Sequence, residues 1–150
     1  RTHEPVMSTA IHTVEGFVAF DLQHPALDPK GRFIGSVSVL TTPDFFGSVI
    51  QPKVAQFPVE MWMMQKDGRI IYDINPGEIG RNLFTDKLYA DHPSLITVGR
   101  KMAGPAKGRG HYVFLHKNLQ KEVQKELIWT TVALHKTEFR LALAYVKTDF

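Results

Sequence analysis

Residues 62–84 read WMMQKDGRIIYDINPGEIGRNLF, and this stretch decides the fold. Two apolar runs flank Asp67-Gly68, a pair that supplies the positive φ angles needed by a two-residue hairpin turn. The second run ends in Asn75-Pro76-Gly77-Glu78-Ile79-Gly80, a punctuated loop that leaves the sheet. Strands are therefore expected over residues 59–65 and 69–73, paired as a hairpin.

Downstream, residues 85–102 contain a helical stretch. Leu95, Val98 and Met102 fall at i, i+3 and i+7 on one helix face, the start lies near Asp91-His92-Pro93, and Gly104-Pro105 ends it. Three further strands follow over 111–116, 127–134 and 139–146, the last two joined by a turn at 135–138. The order is strand, strand, helix, strand, strand, strand: a PAS-like α+β layout, an antiparallel sheet with helices on one or both faces. Upstream, residues 5–12, 16–22 and 33–40 read as a small antiparallel meander with a turn over 24–31. Thr42 is a plausible N-cap with Pro43 at the first helical position, giving a helix to about residue 51 that Pro52 stops. Lys30-Gly31-Arg32-Phe33-Ile34 echoes Asp67-Gly68-Arg69-Ile70-Ile71, as two related modules in tandem would.

Composition narrows the function classes. The 150 residues suffice for one good core, or a small domain plus part of another, and 43% hydrophobic with 22% charged residues describes globular material. The net charge of +3 is spread along the chain. The densest lysine cluster, residues 117–125, is interrupted by Glu122 and followed by Glu126, so it reads as a solvated turn or strand end and not as a nucleic-acid footprint. The chain has no cysteine, which removes disulfides, thiolate nucleophiles and Cys-based zinc sites. No apolar run approaches the ~18 residues of a spanning helix. The start, Arg1-Thr2-His3-Glu4-Pro5, has neither Met nor a signal-peptide apolar region, and reads as a piece of something longer.

Catalytic and metal patterns fail one by one. His3-Glu4 is followed by Met7 where an HExxH motif needs histidine, and His111 and His116 fall on opposite faces of one strand. Ser36 lacks the G-x-S-x-G frame and Gly104 to Gly110 lacks the setting of a nucleotide loop. Asp67 and Asp73 sit at a turn and a strand end, where solvation accounts for them. No enzyme activity, metal or cofactor is expected.

Residues 67–73 (DGRIIYD), 78–84 (EIGRNLF), 110–114 (GHYVF), and Trp129-Thr130-Thr131-Val132 ahead of Phe139-Arg140-Leu141 together resemble the Cache superfamily, PAS-like extracytoplasmic sensor domains of membrane receptors. The resemblance covers residues 43–147. It implies that residues 1–42 are the closing strands of a preceding, membrane-distal Cache module and that residues 43–150 form a Cache sensor domain. It further implies a place on the extracytoplasmic face of the cell membrane, in a histidine kinase or chemotaxis receptor, with the membrane reached only through flanking helices absent from this chain. The implied partner is a small organic ligand such as an amino acid or carboxylate, with no nucleic acid; a homodimer is compatible. The alternative is a ligand-free structural or dimerisation spacer that transmits a signal from a distal sensor.

Strand parity selects pocket candidates from the residues themselves. Tyr112 and Phe114 share a face, as do Trp129 and Thr131, and as do Glu60, Trp62 and Met64. A concave site needs apolar walls with a few oriented polar groups, and Trp62, Tyr72, Tyr112, Phe114, Trp129 and Thr131 could supply them. Tyr89 and Arg100, from the segment crossing the sheet, could close it, with Arg100 gripping a ligand carboxylate through both oxygens. Beside this stands the plainer reading, in which strand aromatics fill the core and a helix-surface arginine is solvated.

Overall fold

The computed structural model describes residues 3–116 and 121–146. Four strands come first: β1 (Val6–Met7), β2 (Ile11–His12), β3 (Val18–Leu27) and β4 (Phe33–Thr41). Helix α1 (Asp44–Val54) links them to β5 (Glu60–Gln65) and β6 (Ile70–Asp73). Two single 3-10 turns, Pro76–Glu78 and Lys87–Tyr89, lead into α2 (Pro93–Ala103), and the chain finishes with β7 (Lys107–His116), β8 (Lys121–Leu134) and β9 (Thr137–Val146). β5 to β9 form one antiparallel sheet in the order β6-β5-β9-β8-β7, so the first strand of the unit sits beside the last. β1, β2 and β4 all pair with β3 in a second sheet. The α+β, PAS-like layout expected from the sequence is the one observed.

Several local expectations change. The Asp67-Gly68 turn is a three-residue loop: Gln65 N–H donates to Arg69 O (2.9 Å), Gly68 N–H donates to Gln65 O (3.0 Å), and only Gly68 has positive φ (+91°). A type I turn closed by a left-handed glycine gives this geometry, which asks nothing unusual of Asp67. Pro52 lies inside α1 and does not stop it. The carbonyl it leaves without a helical donor belongs to Ser48, which is exposed enough to reach water. Thr42 contributes no side-chain cap; Pro43 occupies the cap position. β3 continues through residues 24–27, so the turn begins only at Asp28. Pro25 is tolerated because β1 pairs no further than Gln23, leaving β3 a free edge on that side.

β7 and β8 also begin earlier than their apolar runs suggest. Gly108 and Gly110 lie within β7 because bulky groups rest directly on them. A Cβ on Gly108 would sit 2.3 Å from Trp129 Cζ2, and one on Gly110 would sit 2.5 Å from Val98 Cγ2. β8 reaches back to Lys125, read from sequence as part of a solvated lysine cluster. That residue is 6% exposed and its side chain is paired with Glu60, while residues 117–120 of the cluster lie outside the described residues.

The five-stranded sheet is buried on both faces. On one, α2 packs Val98 and Met102 against Trp62, Met64, Leu127 and Trp129. On the other, Met63, Tyr72 and Phe139 meet Met7 and Phe20 of the first sheet, with Phe46 and Ile50 of α1 alongside. Arg140, 1% exposed, fastens α2 to the sheet. Its Nε donates to Met102 O (3.1 Å) and Nη2 to Gly104 O (3.0 Å), satisfying helix-end carbonyls with a cation where the helix dipole favours one.

Candidate ligand cleft

The register of the sheet aligns side chains into rows on the α2 face. Asp73, Trp62, Ala142, Trp129 and Gly108 are consecutive cross-strand partners, and Glu60, Ala144, Leu127 and Gly110 form the next row. Large side chains at the β6–β5 end, small alanines on β9 and the crossing segment above leave a cleft of about 220 Å³. β5 contributes Glu60 and Trp62, β6 Asp73, β7 Tyr112 and Phe114, and β8 Lys125. Glu78, Tyr89 and Leu95 close it from the crossing segment and α2.

The chemistry of the cleft is acidic within aromatic walls. Three carboxylates, Glu60, Asp73 and Glu78, face one ammonium, and Lys125 Nζ is already held by both oxygens of Glu60 (2.6 and 2.5 Å). Lys125 Nζ also lies 5.0 Å from the Phe114 ring centroid. Glu78 accepts from the Tyr89 hydroxyl (2.9 Å) and from Asn75 Nδ2 (3.3 Å), and Asp73 Oδ1 accepts the Asn75 N–H (2.7 Å). Burial, with added repulsion from Glu78 and Glu60, raises the Asp73 carboxyl from 3.8 to about 7 against the opposing pull of Asn75 N–H and Lys125. Burial and the same acidic surroundings also push the Tyr89 and Tyr112 phenols upward. Tyr112 is 4% exposed, and its hydroxyl has no hydrogen-bond partner among the described residues.

The structure brings together Trp62, Tyr89, Tyr112 and Phe114 at this cleft. The other four candidates lie elsewhere. Tyr72 points to the opposite face of the sheet, beneath α1, where a Cβ on Gly47 would lie 3.2 Å from its ring. Its cross-strand partner is Met63 and not Trp62, so it takes the Met63 face, and a bulge between Met63 and Met64 brings Ile71 to the same side. Trp129 lies over Gly108 and donates its Nε1–H to Pro105 O (3.2 Å). Thr131 donates to Ala106 O (2.7 Å) and accepts from Arg140 Nη1 (2.8 Å). Arg100 is exposed, its guanidinium 4.7 Å from the Phe84 ring centroid.

The charged lining, Glu60, Asp73, Glu78 and Lys125, was not among the residues expected at the site. Asp73, assigned to solvent as a strand end, is largely enclosed because the loop after β6 folds back over it through Asn75 and Glu78. The available signal was parity: Glu60 shares the face of Trp62, and Lys125 lies two residues before Leu127 on the same face. Among the described residues no group of three or more His, Cys, Asp or Glu side chains could hold a metal ion, and no helix is long and apolar enough to cross a membrane.

Comparison with known proteins adds sequence and fold relationships. A family model described as the HK/GC/chemotaxis protein-like sensor domain matches residues 1–43. An extracellular ligand-binding receptor from Desulfohalobium retbaense is 49% identical over 96% of this chain, with a TM-score of 0.73, and the chain spans 23% of that structure. The periplasmic sensory domain of the Campylobacter jejuni chemoreceptor Tlp1 matches at 13% identity over 99% of this chain and 51% of its own, TM-score 0.64. The ligand-binding domain of the Pseudomonas aeruginosa amino acid chemoreceptor PctB, in complex with L-Arg, matches at 13% identity over 97% and 51%, TM-score 0.61. At those identities the last two speak for the fold alone. The search of curated proteins finds no match.

Proposed function

We propose that this chain carries a Cache-type sensor domain, with residues 43–150 as a ligand-sensing module of a transmembrane receptor exposed on the extracytoplasmic side, a reading supported by the 49% identical extracellular ligand-binding receptor. The receptor is of the histidine kinase or chemotaxis type, and the ligand is a small organic molecule held between the sheet and the segment crossing it. One observation carries the reading: a cleft with aromatic walls contains converging polar groups, one of them the Tyr112 hydroxyl, which has no hydrogen-bond partner among the described residues. A domain that only filled space would gain stability from an apolar core at that place, because an unsatisfied buried polar group costs about 1–3 kcal/mol. Ligand entry draws the crossing segment onto the sheet, and the difference in affinity between open and closed forms biases the chain ends.

Residues 1–42 are the closing strands of a preceding, distal module of the same receptor. Support comes from the family match, which ends at residue 43, and from β4, where Phe33, Ile34, Val37, Val39 and Leu40 are all about half exposed or more. Strand residues of this kind pack against further strands of a module in the longer polypeptide.

The test is a thermal-shift screen with amino acids, amines and carboxylates, followed by isothermal titration of wild type and Tyr112→Phe. A hit whose affinity falls on removal of the single hydroxyl supports the assignment. Absence of any response across all three ligand classes overturns it.

A further inference from the structure

Resting on the reading of the cleft as a ligand site, we propose that its ligand is recognised through a protonated primary amine, held by Asp73, Glu78 and the Tyr112 hydroxyl, with an apolar body against Trp62 and Leu95. A carboxylate is not the group this cleft selects.

Of the four charged lining groups, Lys125 and Glu60 neutralise one another through a two-oxygen contact, and Arg100 is on the outside over Phe84. What remains is Asp73 and Glu78, two carboxylates close enough to oppose each other's ionisation. An incoming carboxylate would meet both and find no free cation among the described lining residues. An incoming ammonium would relieve their repulsion in surroundings of low polarity, where the pairing is strongest.

Hydrogen-bonding capacity matches as well. An alkylammonium has three N–H donors and no acceptor. Asp73 offers its second oxygen, which has no partner among the described residues, and Glu78 keeps lone pairs beyond those used by Tyr89 and Asn75. Tyr112 supplies the third acceptor. It shares the cleft with Glu60, Asp73 and Glu78, whose charges add to burial in pushing the phenol upward, and its hydroxyl has no hydrogen-bond partner among the described residues. Trp62, which lines the cleft, suits a cation next to an aliphatic stem, whereas the Phe114 ring is already taken by Lys125 Nζ and the stacked His92 ring. A cleft of about 220 Å³ restricts that stem to a few carbons.

Proton linkage gives the site a signature. The groups facing Asp73 are Glu60 on β5, Glu78 and Tyr89 on the crossing segment, Tyr112 on β7 and Lys125 on β8. With its carboxyl raised to about 7, Asp73 is mostly protonated at pH 6, and an ammonium that pairs with it must displace that proton. At pH 8.5 no proton is displaced.

The experiment uses three probes of one shape on the whole chain: 3-methylbutylamine, 4-methylpentanoate and L-leucine, titrated calorimetrically at pH 6 and 8.5 in buffers of different ionisation enthalpy. The amine is expected to bind at least tenfold more tightly than the acid, to gain affinity towards pH 8.5, and to release up to one proton at pH 6. Asp73→Asn, whose fold is checked by circular dichroism, is expected to lose at least tenfold in amine affinity along with the proton release. Binding of L-leucine in addition to the amine agrees with the proposal; binding of L-leucine with the amine inert overturns it. Binding of 4-methylpentanoate with the amine inert overturns the amine assignment but leaves the ligand-sensing reading intact. Silence from all three probes overturns the amine assignment, and the ligand-sensing reading falls only if the broader screen is silent too.

Discussion

Replacing Asp73 by asparagine should make the protein more stable at neutral and alkaline pH, although it removes a charged residue from a polar site. The native carboxyl titrates near 7 against 3.8 when unperturbed, so the folded state holds a proton that the unfolded chain has released over this interval. Stability is therefore full below pH 3.8, falls as pH rises, and reaches its lower plateau above pH 7. A rise of that size corresponds to at most about 4 kcal/mol, and partial solvent contact reduces the expected loss to about 2–4 kcal/mol. The asparagine side chain has no such titration, and its carbamoyl oxygen can still accept the Asn75 N–H that Asp73 Oδ1 accepts at 2.7 Å. Urea unfolding of both proteins at half-unit steps from pH 4 to 8.5 measures the difference. The two curves should diverge steadily between pH 4 and 7, with the variant higher, and run parallel above pH 7.5. Identical slopes in the two proteins would refute the burial of this charge, and a variant that is less stable at pH 8 would reverse its sign.

Arg140→Met should cost about 2–4 kcal/mol in urea unfolding, because Met102 O and Gly104 O at the end of α2 lose their donor; a loss under 1 kcal/mol would show that α2 is not held there. Gly108→Ala should lower stability by about 1–3 kcal/mol, since the new Cβ would lie 2.3 Å from the Trp129 ring, and an unchanged melting temperature would refute this contact. Lys136→Gly should raise stability by about 1 kcal/mol by removing a side chain from left-handed backbone (φ 71°), at the expense of an exposed ion pair with Glu4 that contributes little; a clear loss of stability would mean that the pair outweighs the backbone strain.

The fold was readable because its signals are local. Alternation places Trp62 and Met64 together, the i, i+3, i+7 spacing places Val98 and Met102 on the sheet, and Gly104-Pro105 marks the end of α2. Where local signals failed, long-range partners decided. Apolar content marked β8 only from Leu127, but the strand begins at Lys121, where pairing with β7 carries polar residues into the ladder. Pro52 reads as a stop, yet an exposed carbonyl on Ser48 makes its place in a last turn inexpensive.

The site was only half legible for the same reason. Parity gives the face of a side chain but not its direction along the sheet. Trp62 and Trp129 share a face and a cross-strand row, yet Trp129 turns over Gly108 towards Pro105 and only Trp62 reaches the cleft. Tyr72 pairs with Met63, the register that a two-residue turn at Asp67-Gly68 also gives, so parity carried across the hairpin sets it on the face away from Trp62. Asp73 looked solvated because the loop that covers it lies two to five residues further along the chain.

The central claim is that a ligand occupies the cleft between β5, β6, β7 and the crossing segment. Amide chemical-shift mapping of the 15N-labelled chain, titrated with whichever compound gives the largest thermal shift, tests it most directly. The account expects the largest changes at residues 73–89 on the crossing segment and around Tyr112, with β1 to β4 nearly silent. Saturable changes concentrated in β3 and β4, with residues 73–89 unmoved, would contradict it.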